Sequence, residues 1–227
     1  QRSGDIWLPT YSMADSESPI TGIEVLEGRS PKNLLRDGLA DWVFAQNPDA
    51  RVVSLSGKDR AAITMAGRSR GEVYWIAIER LGFVTSTYYR DDYPEWVRRF
   101  NDDVMPELVS DSVWENVVPE EERHLARPDS ADYEGDGVHT TLPHMPQSED
   151  VWEREAWTLN RPTDDKAVSL LAQEAIRQLD LGQRGEQDYL ALSFSATDHV
   201  GHAYGPLGQE QLDNLVRLDR ELGALFE

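Results

Sequence analysis

The sequence contains no cysteine, which excludes disulfide bonds, thiolate metal ligands and a cysteine nucleophile. It also lacks an apolar run of about 18 residues, so no transmembrane helix is expected. No segment has the pattern of a signal peptide. Lysine is scarce as well, since only Lys32, Lys58 and Lys166 occur among 22 basic residues. A lysine next to other candidate functional residues is therefore more informative than usual.

The chain is strongly acidic, with a formal net charge of -20 over 227 residues. Such a chain repels nucleic acid and anionic membranes, so neither is an expected partner. Hydrophobic residues make up 39% of the sequence, which is enough for a packed core and argues against global disorder. If the substrate is an anion, its site must be locally positive against this background.

The first recognisable unit is a helix followed by a strand. Ser30-Pro31 is typical of a helix start, with serine as the cap and proline in the first turn. Apolar residues then recur at helical spacing and predict a helix over residues 31–46 with one buried face. The residues of that face are Leu34, Leu35, Leu39, Trp42 and Val43. Residues 51–55 predict a short buried strand.

The same order of elements returns near the end of the chain. Apolar spacing predicts a second amphipathic helix over residues 167–179 and a third over residues 212–225. Residues 189–194 between them predict a strand. This alternation favours an α/β fold with a mostly parallel sheet flanked by helices.

The middle of the chain differs in composition from its two flanks. Residues 68–165 are rich in aromatic residues, prolines and acidic runs, and residues 83–89 have strong strand propensity. We interpret this range as an inserted cap lobe, rich in strands and loops, that packs over the carboxyl edge of the sheet. The predicted division is therefore residues 1–67 and 166–227 for the α/β core, with the lobe between them.

The most specific candidate site is the segment from Thr197 to Pro206, which follows a predicted strand. Asp198 and His202 are four residues apart, so on a helical turn both side chains lie on one face. A carboxylate oxygen and an imidazole nitrogen are ligands that suit zinc. An aspartate cap with a surface histidine is the alternative interpretation of such a pair. The glycines and the position after a strand favour metal binding.

Two ligands do not complete a catalytic zinc site, which usually has three protein ligands and an open position. The four other histidines are interpreted as surface or supporting residues rather than ligands: His124, His139, His144 and His199. Further ligands are expected outside this chain.

A second candidate is Lys58-Asp59-Arg60, which also follows a predicted strand. A guanidinium can hold two phosphoryl oxygens, and a lysine adds a point charge. Alternation would direct Lys58 and Arg60 toward one ligand and Asp59 away from it. A solvated surface salt bridge is the alternative. Ligand sites of parallel sheets lie at the carboxyl ends of strands, so both candidates are expected at the same edge.

Together these segments resemble one known family. The resemblance is carried by four stretches: residues 30–35, residues 58–67 with Lys58-Asp59-Arg60, residues 82–89, and residues 193–219 with the Asp198–His202 segment. They are similar to the alkaline phosphatase superfamily, in its type I phosphodiesterase/nucleotide pyrophosphatase-like branch. Within that branch the chain resembles the bacterial alkaline phosphatases that use a threonine nucleophile.

The resemblance implies zinc-dependent hydrolysis of phosphate monoesters through a phosphothreonine intermediate. Asp198 and His202 would ligate one zinc of a two-zinc site, and Lys58 and Arg60 would hold phosphoryl oxygens. It also implies a periplasmic or secreted protein whose partner is a small phosphate ester.

The chain departs from the family pattern, because the threonine nucleophile and an Asp-His pair of metal ligands have no counterpart in it. We therefore expect an internal fragment of the full fold that is inactive by itself. A phosphodiesterase or nucleotide pyrophosphatase of the same superfamily is one alternative function. A non-catalytic module that binds metal or phosphate is the other.

Overall fold

The computed structural model describes residues 2–3, 6–7, 10–110, 113–135 and 137–227. In chain order the strands are β1 (Arg2–Ser3), β2 (Ile6–Trp7), β3 (Val52–Ser56), β4 (Glu72–Ala77), β5 (Gly82–Val84) and β6 (Tyr189–Ser193). The α-helices are α1 (Leu39–Gln46), α2 (Asp59–Ala66), α3 (Glu95–Arg99), α4 (Met105–Ser110), α5 (Val151–Leu159), α6 (Thr163–Gln178), α7 (Ala196–Tyr204) and α8 (Gln209–Phe226). Short 3-10 helices span Ile78–Arg80 and Glu120–Leu125, and a π-helical segment, Phe100–Val104, joins α3 to α4.

The sheet confirms the predicted fold class. Its strand order is β5-β4-β3-β6, with β3 parallel to both β4 and β6 and β5 antiparallel to β4. Helices cover both faces, as parallel strands require. The strands predicted over residues 51–55 and 189–194 are β3 and β6, and the last two predicted helices are α6 and α8.

Two apolar clusters hold the helices to the sheet. Alternate residues of β4 point to opposite faces, so Val73 and Trp75 join a cluster with Ile63 of α2, whereas Tyr74 joins a cluster with Leu171 of α6. Strand β3 is buried along its whole length. The candidate segments that follow β3 and β6 therefore begin at strands whose positions in the sheet are fixed.

The prediction of a helix over residues 31–46 is wrong for its first half. Helix α1 begins only at Leu39. The Ser30 hydroxyl donates to Asp15 at 2.6 Å and accepts the backbone N–H of Lys32 at 3.2 Å, but the turn it starts does not continue into a helix. The helix starts instead where the Asp41 carboxylate accepts the backbone N–H of Gly38 at 2.8 Å. Its predicted buried face is also largely exposed, with Leu35 at 84%.

The strand predicted over residues 83–89 ends early, at Val84. The next residues bond to the N-terminal loop, where Thr85 accepts from the backbone N–H of Thr21 at 3.0 Å and Thr87 donates to Pro19 at 2.9 Å. A turn then follows. Local strand propensity was overridden by these tertiary hydrogen bonds.

The central sheet includes two strands from the range of the predicted cap lobe. Strands β4 and β5 lie within residues 68–165 but pair in the central sheet. After β5 this range contains helices and long connections rather than further strands of the sheet. The three-part division of the chain stays a prediction. No helix in the described parts of the chain is long and apolar enough to cross a membrane.

The first turn of α6 buries two consecutive carboxyl groups, Asp164 at 3% exposure and Asp165 at 2%. Burial, followed by the neighbouring Asp165, raises the pKa of Asp164 to about 8. Burial also raises the pKa of Asp165 to about 6. Both groups therefore hold protons in the folded chain at pH values where an unfolded aspartate has lost its own.

Removing a core side chain from β3 should destabilise the fold far more than removing an exposed leucine. Leu55 is fully buried, so Leu55→Ala should lower the free energy of unfolding by about 2–5 kcal/mol. Leu35→Ala is the matched control and should change it by less than about 0.5 kcal/mol. Urea unfolding followed by tryptophan fluorescence measures both. Equal losses would show that the helix predicted over residues 31–46 does bury Leu35.

The buried carboxyl pair should make stability fall as pH rises. Between pH 4 and about 8 the folded chain binds a proton at Asp164 that the unfolded chain releases, so each pH unit costs about 1.4 kcal/mol per proton. Asp165 lowers the free energy of unfolding by the same amount per pH unit, but only up to about pH 6. Asp164→Asn should therefore flatten the slope between pH 6 and 8.

The measurement is urea unfolding at several pH values, with Asp91→Asn as the control that removes an exposed carboxylate. An unchanged slope in Asp164→Asn would contradict the raised pKa.

Candidate active site

The carboxyl ends of β3 and β6 lie side by side. Their register pairs Ser56 with Ser193, so the segments that follow the two strands leave the sheet at the same edge. Lys58 stands immediately before α2, and Asp198 lies in the first turn of α7. The Ser56 hydroxyl accepts the backbone N–H of Lys58 at 3.0 Å, which fixes the turn out of β3.

Three of the four predicted site residues meet at this edge. The ammonium of Lys58 forms an ion pair with Oδ2 of Asp198, although the two residues are 140 positions apart. His202 Nε2 lies 3.3 Å from Oδ1 of the same carboxylate. The hydrogen bond from Lys58 lowers the pKa of Asp198. One exposed carboxylate thus lies between a cation and an imidazole.

Arg60 lies in the first turn of α2 and lines the same cavity as these three residues. It is exposed to solvent. Asp59, between the two basic residues, accepts hydrogen bonds from Arg29 Nε at 2.7 Å and from the Tyr11 hydroxyl at 2.5 Å. Asp59 is therefore bound by Tyr11 and Arg29. Its two basic neighbours, Lys58 and Arg60, line the cavity.

The cavity has a volume of about 560 Å³ and a mixed lining. Its apolar wall includes Trp75, Ile78 and Leu159. Its charged lining holds three basic residues and five acidic ones: Arg29, Lys58, Arg60, Glu27, Asp59, Glu79, Asp164 and Asp198. The local excess of positive charge expected for an anion site is therefore not supplied by these side chains.

Asp164 is a cavity residue that sequence reasoning missed, and His199, interpreted as a surface or supporting residue, also lines the cavity. Both oxygens of Asp164 lie 2.2 Å from where a Cβ on Gly57 would stand, so a side chain in the turn before Lys58 would require the Asp164 carboxyl to move. His199 Nδ1 is 4.0 Å from Oδ2 of Asp164. Burial, followed by Lys58, lowers the pKa of His199. An acidic pair at the start of a helix is so common that its sequence gave no signal of this role.

Of the two interpretations of His139 and His144, as surface or as supporting residues, the surface one is wrong. They are 5% and 1% exposed, and they pack with Trp114 and Tyr204 beside the end of α7. His144 Nε2 lies 2.9 Å from the buried carboxylate of Glu210. These aromatic contacts bury the end of the helix that carries Asp198 and His202.

The donors at the cavity are of the kind that zinc prefers. The Asp198 carboxylate and the His202 imidazole lie 3.3 Å apart on one helical face. The carboxylate also forms an ion pair with a cation, the Lys58 ammonium. Among residues 10–110, 113–135 and 137–227, no three acidic or histidine side chains are grouped to hold a metal. The two donors fit half of a zinc site.

Curated relatives of this chain include three bacterial proteins. Alkaline phosphatase PhoV of Synechococcus elongatus is 33% identical over 95% of the chain and 40% of its own length. Alkaline phosphatase PafA of Elizabethkingia meningoseptica is 30% identical over 87% of the chain and 37% of its own length. A calcium-transporting ATPase of Myroides odoratus is 30% identical over 92% and 39%. The chain thus spans about two fifths of the length of these relatives.

Two crystal structures of alkaline phosphatase PafA share the fold. The wild-type structure matches with a TM-score of 0.87 and 28% identity, over 96% of this chain and 43% of that one. A variant of PafA matches with a TM-score of 0.88 and the same identity and coverage. The arrangement of sheet and helices is therefore that of an alkaline phosphatase.

The family model called type I phosphodiesterase / nucleotide pyrophosphatase matches residues 60–227, which is most of the chain. The match covers β4, β6 and the helix with Asp198 and His202, and it agrees with the resemblance found in the sequence. The chain belongs to the type I phosphodiesterase / nucleotide pyrophosphatase family of the alkaline phosphatase superfamily.

Proposed function

We propose that the whole protein hydrolyses phosphate monoesters with the help of zinc, through a phosphothreonine intermediate. This chain would supply Lys58 and Arg60 as phosphate-binding residues and Asp198 and His202 as ligands of one zinc ion. The observation that carries the proposal is the meeting of Lys58, Asp198 and His202 at the adjoining ends of β3 and β6. The names of the alkaline phosphatase relatives support the reaction class.

The charge of the cavity supports a need for metal ions. Five carboxyl groups and three basic side chains line it, so a phosphate dianion would meet net repulsion even with Asp164 protonated. Two bound zinc ions would supply positive charge to the phosphoryl oxygens and polarise the attacking group. Lys58 and Arg60 would then orient the ester, while Asp59, which also lines the cavity, is paired with Arg29.

A related protein supports the roles of the two basic residues. One matching PafA structure is of a variant in which a threonine, an asparagine, a lysine and an arginine were replaced together. That lysine and arginine are two positions apart, as Lys58 and Arg60 are.

A diesterase or nucleotide pyrophosphatase is the second candidate, and the description of the family model favours it. The name of the Myroides odoratus relative is compatible with either, because ATP hydrolysis also transfers a phosphoryl group to water. A non-catalytic module that binds metal or phosphate is the third candidate. We also propose a periplasmic or secreted location for the whole protein.

Removing the metal should abolish the activity of the whole protein. Treatment with a chelator should stop hydrolysis of an aryl phosphate, and added zinc should restore it, because Asp198 and His202 would otherwise present only negative and neutral groups to the ester. Residues 1–227 alone should show no turnover with zinc present. Turnover by the isolated chain would show that it contains a complete site, and chelator-resistant activity would remove zinc from the proposal.

Replacing Arg60 should distinguish a monoesterase from a diesterase. Arg60→Ala should lower kcat/KM for an aryl phosphate monoester on the order of 10²–10³-fold, because a monoester has one more anionic oxygen to hold. The loss on the matching diester should be at least tenfold smaller. Arg36→Ala removes another exposed arginine, outside the cavity, and is the control. Equal losses on the two esters would instead support the diesterase.

A further inference from the structure

Helix α7, which carries Asp198 and His202, is not capped by its own sequence. Its N-cap residue, Ser195, makes no side-chain hydrogen bond to the first turn. The first backbone N–H groups of a helix have no partner within the helix and must find one elsewhere when they are buried. Ser195 is 4% exposed and Ala196 is fully buried, so water does not accept hydrogen bonds from their backbone N–H groups.

Asp165 provides the missing acceptor from another helix. Its Oδ1 accepts the backbone N–H of Ala196 at 2.9 Å, and the carboxyl also receives a hydrogen bond from the backbone of Ser195. A carboxyl group at this position also interacts favourably with the positive end of the helix dipole. Asp165 therefore caps α7 across a tertiary contact, 31 residues away in sequence.

The helix that carries Asp165 is firmly attached to the sheet. Ala167, Val168 and Leu171 of α6 are fully buried in the cluster that includes Val53 and Leu55 of β3. Because β3 leads directly to Lys58, the capping contact connects the start of α7 to the strand that places Lys58. The Ser195 hydroxyl adds a weaker contact to the same strand, 3.4 Å from the hydroxyl of Ser56.

Asp198 lies only two residues after Ala196, so a shift at the start of α7 moves its carboxylate directly. A second contact holds the same turn, where Asn214 Nδ2 donates to the Thr197 hydroxyl at 3.0 Å. A displacement of about 1 Å at a reacting group can lower a rate on the order of 10²-fold. The position of the cap is therefore relevant to both metal binding and phosphate binding.

We propose that Asp165 is a positioning residue that caps α7 from α6 and holds Asp198 and His202 in place relative to Lys58. Its relevance to catalysis rests on the proposed function, but the capping itself does not. What the cap supplies is an acceptor oxygen at a fixed place. An asparagine keeps such an oxygen, an alanine removes it, and a glutamate moves it by one methylene.

The test compares three variants by amide hydrogen exchange and by zinc titration calorimetry. Asp165→Ala should speed exchange of the Ser195 and Ala196 amides at least tenfold and weaken zinc binding at least tenfold. Asp165→Asn should stay within threefold of the original chain in both measurements. Asp165→Glu should resemble Asp165→Ala. Ser169→Ala is the matched control, since it removes a buried hydroxyl of α6 that bonds to α8 instead.

The proposal is overturned if exchange at Ser195 and Ala196 is unchanged in Asp165→Ala, or if Asp165→Asn is as damaging as Asp165→Ala. Should Asp165→Ala fail to fold, the contrast between the asparagine and glutamate variants decides. If the unaltered chain binds too little zinc, since it holds only two ligands, the titration uses the whole protein. Absence of zinc binding there would count against the proposed function alone, because the exchange data still report on the cap.

Discussion

The parallel pairing of β3 with β6 is the contact on which the candidate site depends. It sets Ser56 beside Ser193, so two segments far apart in sequence leave the sheet together. Without that register Lys58 would not reach the carboxylate of Asp198. Helix α6 stabilises the pairing, because the cluster that contains its Leu171 also contains Val53 and Leu55 of β3, with Leu190 and Leu192 of β6 packed against it. A parallel sheet needs such cover on both faces.

The site combines this fixed geometry with an unfavourable charge. Carboxyl groups outnumber basic side chains around the cavity, and the whole chain is acidic. An anionic substrate is compatible with such a surface only if further cations are present. Asp198 and His202 would bind such a cation, and Lys58 and Arg60 would then contact the substrate. In the proposed function the two pairs are complementary parts of one site.

Local sequence patterns predicted those elements whose residues bond mainly within the element or face the core. Strands β3 and β6 and helices α6 and α8 are of this kind, because burial imposes a regular apolar spacing. The predictions failed where distant residues took over local donors or acceptors. Asp15 holds the turn at Ser30, and that turn does not continue into a helix. Thr85 and Thr87 bond to the N-terminal loop and do not extend β5.

The sequence by itself determined the fold class, the family and the four candidate residues, because the Asp198–His202 spacing and the Lys58–Arg60 spacing are properties of single short segments. Only the tertiary structure decided that Lys58 pairs with Asp198, that the Asp164 carboxyl packs against Gly57, and that Asp165 caps α7. Those facts depend on burial and on partners from other elements. Two adjacent aspartates in a first helical turn look the same in sequence whether they face solvent or support a site, and the fold alone separates the two cases.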